Sequence, residues 1–126
     1  MPKSILFVET KPESSEHVAA YHEWHDATHI PEMLTIDGFV SARRWQPDGA
    51  DTFITLYEID SDVETARTNL KAAFQSGRMT PPVGVDPNVP PVMRYLRLIS
   101  EASRRRLSVL AKCASVSEGG EDGTDP

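Results

Sequence analysis

The chain has 126 residues with 19 acidic against 13 basic, a formal net charge of −6, which suits a single domain with a real core and argues against a nucleic-acid partner. The one dense basic run, Arg104-Arg105-Arg106, is too short to reverse that reading, and the single cysteine, Cys113, excludes an internal disulfide framework. No apolar run approaches the roughly 20 residues that span a bilayer.

Met1-Pro2-Lys3-Ser4 leads into an apolar strand without a signal-peptide layout, so a cytoplasmic protein without membrane contact is expected. Residues 5–10 are short, apolar and β-rich, and they stop at Lys11-Pro12, which predicts a first, central strand. Ser14 or Ser15 caps a helix, with Glu13 and Glu16 near its positive end. Pro31 restricts Ile30 and is expected to end that helix at Thr28 or His29.

After the Ile36-Asp37-Gly38 turn, strict alternation over 39–45 puts Phe39, Ser41, Arg43 and Trp45 on one face and Val40, Ala42 and Arg44 on the other. Pro47-Asp48-Gly49 turns the chain into a third strand, 52–59, which completes an antiparallel hairpin. Val63, Ala66, Leu70 and Phe74 mark the apolar stripe of a second helix that Gly77 ends. Residues 78–91 hold five prolines and read as a long ordered loop of functional or interface use. Strand four covers 92–99. Residues 101–114 suit a short helix, and 115–126, rich in Ser, Gly, Glu and Asp, suit a disordered tail.

The order β-α-β-β-α-β over residues 1–100 is the α+β, ferredoxin-like split βαβ sandwich. Two helices cover one face of a four-stranded sheet, yet both phases of its strands carry large apolar groups. Face-to-face pairing in a homodimer is the simplest way to cover the second face.

Residues 21–34 concentrate the chemistry, with three of the four histidines. At about 100° per residue, His22, His25 and His29 fall within about 60° of one another on a helical wheel, with Trp24 pointing away. Imidazole exchanges protons near neutrality. A helix-capping or core-packing role is the plain alternative for His29, and a satisfied core imidazole for His25 and His22. A shared metal would stretch the third ligand across roughly 10 Å of helix axis, so no metal is expected. Of Arg43 and Arg44 only one can face a cavity, where it would hold a carboxylate or enolate, a surface ion pair being the alternative. Trp45 and Tyr57 are pocket-lining or core candidates, and Tyr95 a phenolic partner. Cys113 lacks an activating neighbour beyond Lys112. No glycine-rich phosphate loop or dinucleotide fingerprint is present, so no cofactor is expected.

Trp24, His29-Ile30-Pro31-Glu32-Met33-Leu34, Ile36-x-Gly38-Phe39, Ala42-Arg43-Arg44-Trp45 and Tyr57-Glu58 together resemble the dimeric α+β barrel superfamily, nearest its EthD-like and antibiotic-biosynthesis-monooxygenase-like small proteins. The resemblance covers residues 3–99. It implies a cavity between sheet and helices that takes a small organic molecule, with His29 matching the histidine of the family's His-x-Pro segment. Relatives include cofactor-free monooxygenases, decarboxylases, isomerases and polyketide cyclases. Three functions are therefore open. The first is a cofactor-independent lyase, isomerase or cyclase acting on an aromatic or polyketide-like carbonyl compound, with His29 or His25 as base and Tyr95 or an arginine on the enolate. The second is a cofactor-free monooxygenase of a phenol, and the third a non-catalytic small-molecule-binding dimer.

Overall fold

A computed structural model describes residues 4–104. The expected C-terminal helix and tail lie outside the described residues, apart from the first few positions of the former. Four antiparallel strands, β1 (Ser4–Thr10), β2 (Phe39–Trp45), β3 (Phe53–Ile59) and β4 (Val92–Arg97), form one sheet in the order β2-β3-β1-β4. The apolar β1 is central, as its continuous hydrophobicity predicts.

Directly opposed residues of an antiparallel pair share a face. Leu6 therefore stands in one row with Tyr57 and Tyr95, and Val8 with Thr55 and Met93. This is the face the helices cover. Its closed end is a core of Leu6, Met33, Ile36, Phe39, Tyr57, Ile59, Ala66, Leu70 and Ala73. The opposite face carries Ile5, Phe7, Ile54, Leu56 and Leu96 among Arg43, Arg94, Glu9 and Glu58, and none of the described elements covers it.

Strand β2 departs from the alternation predicted for it. A bulge between Phe39 and Ser41 inserts Val40 as an extra residue, so Phe39 opposes Ile59 while Ser41 opposes Glu58. The insertion flips the phase. Phe39 joins Ala42 and Arg44 on the covered face, and Ser41, Arg43 and Trp45 go to the open one. Burial explains the choice, because strict alternation would have left Phe39, which is 3 % exposed, on the uncovered side.

The first helical rod also differs from expectation. It runs through residues 15–33 as a 3-10 turn (Ser15–His17), an α segment α1 (Val18–Glu23), a π-helical stretch (Trp24–His29) and a final α turn α2 (Ile30–Met33). Proline in a regular helix clashes with the carbonyl four residues back. Here the turn before Pro31 is widened, with Ile30 N–H donating to the carbonyl of His25, five residues back. The rod thus passes through Pro31 instead of ending at His29.

Helix α3 (Val63–Gln75) starts on Asp62, whose carboxylate accepts from Thr65 N–H at 3.1 Å, and buries Val63, Ala66, Leu70 and Ala73. The proline-rich segment that follows arches back over the sheet and is tied at three points. Thr80 donates to the Glu32 carboxylate through its N–H (2.9 Å) and its hydroxyl (2.5 Å). Glu13 N–H donates to Gly84 O at 2.7 Å, and Asp86 N–H donates to Lys11 O at 2.9 Å. Gly84 has φ of +76°, and a Cβ there would lie 3.0 Å from Tyr21 N and 3.1 Å from His17 O, so only glycine lets this loop lie against α1.

Candidate active-site cavity

Between the helical rod, the Val8–Thr10 end of β1 and the proline-rich loop lies a cavity of about 500 Å³, within the range that small-molecule sites occupy. Leu6, Val8 and Tyr57 supply its floor and Pro82, Val85 and Pro90 part of its roof. Two imidazoles, His25 and His29, stand in this largely apolar wall. Their rings meet edge to face at 5.9 Å between centroids.

His25 is 5 % exposed, and its Nδ1 lies 2.9 Å from the carbonyl oxygen of Tyr21. A carbonyl only accepts, so Nδ1 carries the proton and Nε2 keeps the lone pair. Burial holds the His25 pKa below the ordinary imidazole value, partly offset by that backbone bond. His29 is pushed down to about 4, first by desolvation and then by His25. Both rings are therefore neutral at neutral pH. The His29 Nδ1 is buried without a hydrogen-bond partner among the described residues.

The π-helical stretch decides which side chain lies on these imidazoles. In α geometry, residues five apart are about 140° apart around the axis. The wider turn instead brings Trp24 over His29, with rings stacked at 4.4 Å and 16°, and edge-on to His25 at 4.8 Å. Trp24 thus belongs to the histidine face rather than the opposite one, and it lines the cavity.

The other candidates divide sharply. Tyr57 lines the cavity, its hydroxyl buried without a partner among the described residues and its pKa raised by desolvation. His22 lies outside the wall, edge-on to Phe53 at 4.6 Å. Tyr95 shares the covered face but sits at the closed end under Arg67, whose guanidinium is 4.8 Å from the ring centroid. Arg44 reaches the covered face near the cavity without lining it, 3.3 Å from Asp26 and 5.7 Å above the Tyr21 ring. Arg43 and Trp45 are on the open face. Histidines 22, 25 and 29 do not converge on one point. Among the described residues, no three His, Cys, Asp or Glu side chains are grouped to hold a metal ion.

Residues absent from the sequence-derived site complete the wall: Thr10, Thr80 and Asp86. Thr10 shares a 2.5 Å hydrogen bond with the Tyr21 hydroxyl, which ties β1 to α1 beside the cavity. Thr80 and Asp86 arrive on the proline-rich loop. Its proline count marks it as ordered, but no local pattern tells which residue of a loop points inward.

The antiparallel sheet with both helices on one face is the ferredoxin-like α+β fold that the order of elements predicts, and it is shared with solved structures of distant sequence. A monooxygenase from Streptomyces coelicolor, the ActVA-Orf6 product solved with the ligand nanaomycin D, superposes with a TM-score of 0.59 at 13 % identity, over 80 % of this chain and 91 % of that one. Rv0793 from Mycobacterium tuberculosis superposes at 0.52 with 17 % identity, over 79 % and 98 %. Identities this low establish a common fold. No family sequence model and no curated protein sequence matches the chain. No helix among the described residues is long and apolar enough to cross a membrane.

Proposed function

We propose that the protein is a cofactor-independent enzyme that removes a proton from a small, largely apolar phenol or enolisable aromatic carbonyl compound held in the cavity, with His25 as the proton acceptor. The observation that carries this reading is a pair of neutral imidazoles, His25 buried and His29 partly buried, in the wall of a largely apolar pocket. His25 is oriented by the Tyr21 carbonyl so that Nε2 is the basic nitrogen. Burial makes a lone imidazolium costly there, so the proton moves readily only when the substrate anion stays beside it as an ion pair. His29, held neutral, offers its imidazole to the substrate oxygen.

Two outcomes can follow deprotonation. Rearrangement by a lyase, isomerase or cyclase needs a cation or strong donors to hold an enolate. Among the described residues no lysine or arginine lines the cavity, and Tyr95 lies outside it. Oxygenation needs less, since the carbanion is consumed by oxygen: an activated CH₂ plus O₂ becomes C=O plus water. The absence of a lining cation and the fold shared with a monooxygenase both favour oxygenation. The half-exposed apolar side chains of the open face further support a homodimer joined sheet to sheet.

The test is oxygen uptake with a hydroxylated anthrone. His25→Asn should lower the catalysed rate by about 10²–10⁴-fold while the ligand still binds. A variant that keeps full activity would remove His25 from the chemistry. Binding with no turnover by the unaltered protein would favour the non-catalytic reading.

A further inference from the structure

The charge of the cavity wall is one-sided. Among the described residues, its one formally charged lining residue is Asp86, because His25 and His29 are neutral and no lysine or arginine is present. Asp86 is not a loose surface group. Its N–H donates to Lys11 O at 2.9 Å, its Oδ1 accepts from Asn88 N–H at 2.9 Å, and it is partly buried. The loop that carries it is pinned beside it by the Pro12–Val85 bridge and by Glu32 at Thr80. Lys11, whose carbonyl takes the Asp86 N–H, turns its own ammonium toward Asp51, 3.4 Å away.

We infer that this cavity selects ligands without a carboxylate, and that Asp86 is the residue that sets the selectivity. The inference rests on the reading of the cavity as the ligand site and narrows its substrate class. A carboxylate entering the pocket would lose hydration to apolar walls, meet two imidazoles that resist protonation, and face a fixed negative charge. A neutral phenol avoids all three costs. A ligand bearing an ammonium group gains the attraction of Asp86 against the cost of its own desolvation. The positive side chain expected opposite a carboxylate or enolate is therefore replaced by a negative one, and the substrate is the uncharged form of its class.

Calorimetric titration of the full chain at about neutral pH and low salt, with 2-naphthol, 2-naphthoate and 2-naphthylmethylammonium, tests this. 2-Naphthoate should bind at least about tenfold more weakly than 2-naphthol. Asp86→Asn preserves the acceptor for Asn88 N–H, and measured relative to 2-naphthol it should tighten 2-naphthoate several-fold and weaken the ammonium ligand. Equal affinities for naphthol and naphthoate in the unaltered protein would overturn the selectivity. A ratio unmoved by Asp86→Asn would overturn the role of Asp86. If none of the three ligands binds, the cavity is not the ligand site, and the functional reading fails with the inference.

Discussion

The two faces of the sheet are built from the same four strands and meet opposite fates. On the covered face, Leu6, Tyr57, Ile59 and Phe39 are almost fully buried, and the rows of Leu6 with Tyr57 and of Val8 with Thr55 and Met93 floor a cavity. On the open face, Trp45 and Leu96 remain 52 % and 44 % exposed beside Arg43, Arg94, Glu9 and Glu58. One face therefore ends in a cavity shaped by its own loop, and the other in half-exposed apolar side chains, the surface on which we propose that two copies pair. The difference gives the proposed homodimer its physical reason: apolar surface that a small fold cannot cover with its own loops can be covered by association.

The largest expected effect falls on the open face. Trp45→Glu combined with Leu96→Glu should convert a dimer into monomers in sedimentation at micromolar concentrations, without loss of the helical circular-dichroism signal. An unaltered protein that sediments as a monomer would remove the basis of the contrast.

On the covered face, the histidines supply a pH signature. The folded-state pKa of His29 is lowered to about 4 from 6.5 and that of His25 is lowered as well, so between those values the unfolded chain binds more protons. This contribution is complete above about pH 6.5 and is lost as the pH falls toward 4. It amounts to about 3 kcal/mol from His29. Urea unfolding of His29→Gln should show a shallower dependence across this window, and an unchanged slope would contradict the burial of that ring.

Gly84→Ala should cost about 1–3 kcal/mol, because a left-handed backbone and close contacts with Tyr21 N and His17 O oppose a Cβ. It should also raise amide exchange in the proline-rich loop more than in α3. A smaller change is expected from Glu32→Gln, which keeps an oxygen for Thr80 but loses the charge. The carboxylate's pKa is lowered by the two Thr80 bonds, so its contribution is present at neutral pH and fades in acid. Thermal melts should rank it below Gly84→Ala, and a reversed order would show that the Glu32 latch, not the glycine contact, holds the loop.

Much of the fold is legible in the chain because its signals are local. The central place of β1 follows from six consecutive β-rich residues, and the cap at Asp62 and the turn at Gly38 follow from side-chain and backbone chemistry that acts within a few positions. The site was half legible. His25 and His29 do share a cavity wall, whereas His22, Trp45 and Arg43 stand elsewhere, and Asp86 carries no local sequence signal that would mark it.

Amino-acid order alone determines the β-α-β-β-α-β sequence of elements, the crowding of imidazoles before Pro31 and the resemblance that those residues carry, because periodicity and turn chemistry need only neighbouring residues. Three matters were decided by the tertiary structure. The bulge at Val40 sends Arg43 and Trp45 to the open face, the widened turn before Pro31 lays Trp24 on His29, and the proline-rich loop carries Asp86 into the cavity. Each reflects a competition between local geometry and burial: one inserted residue or one wide turn costs little, and core packing against distant elements repays it.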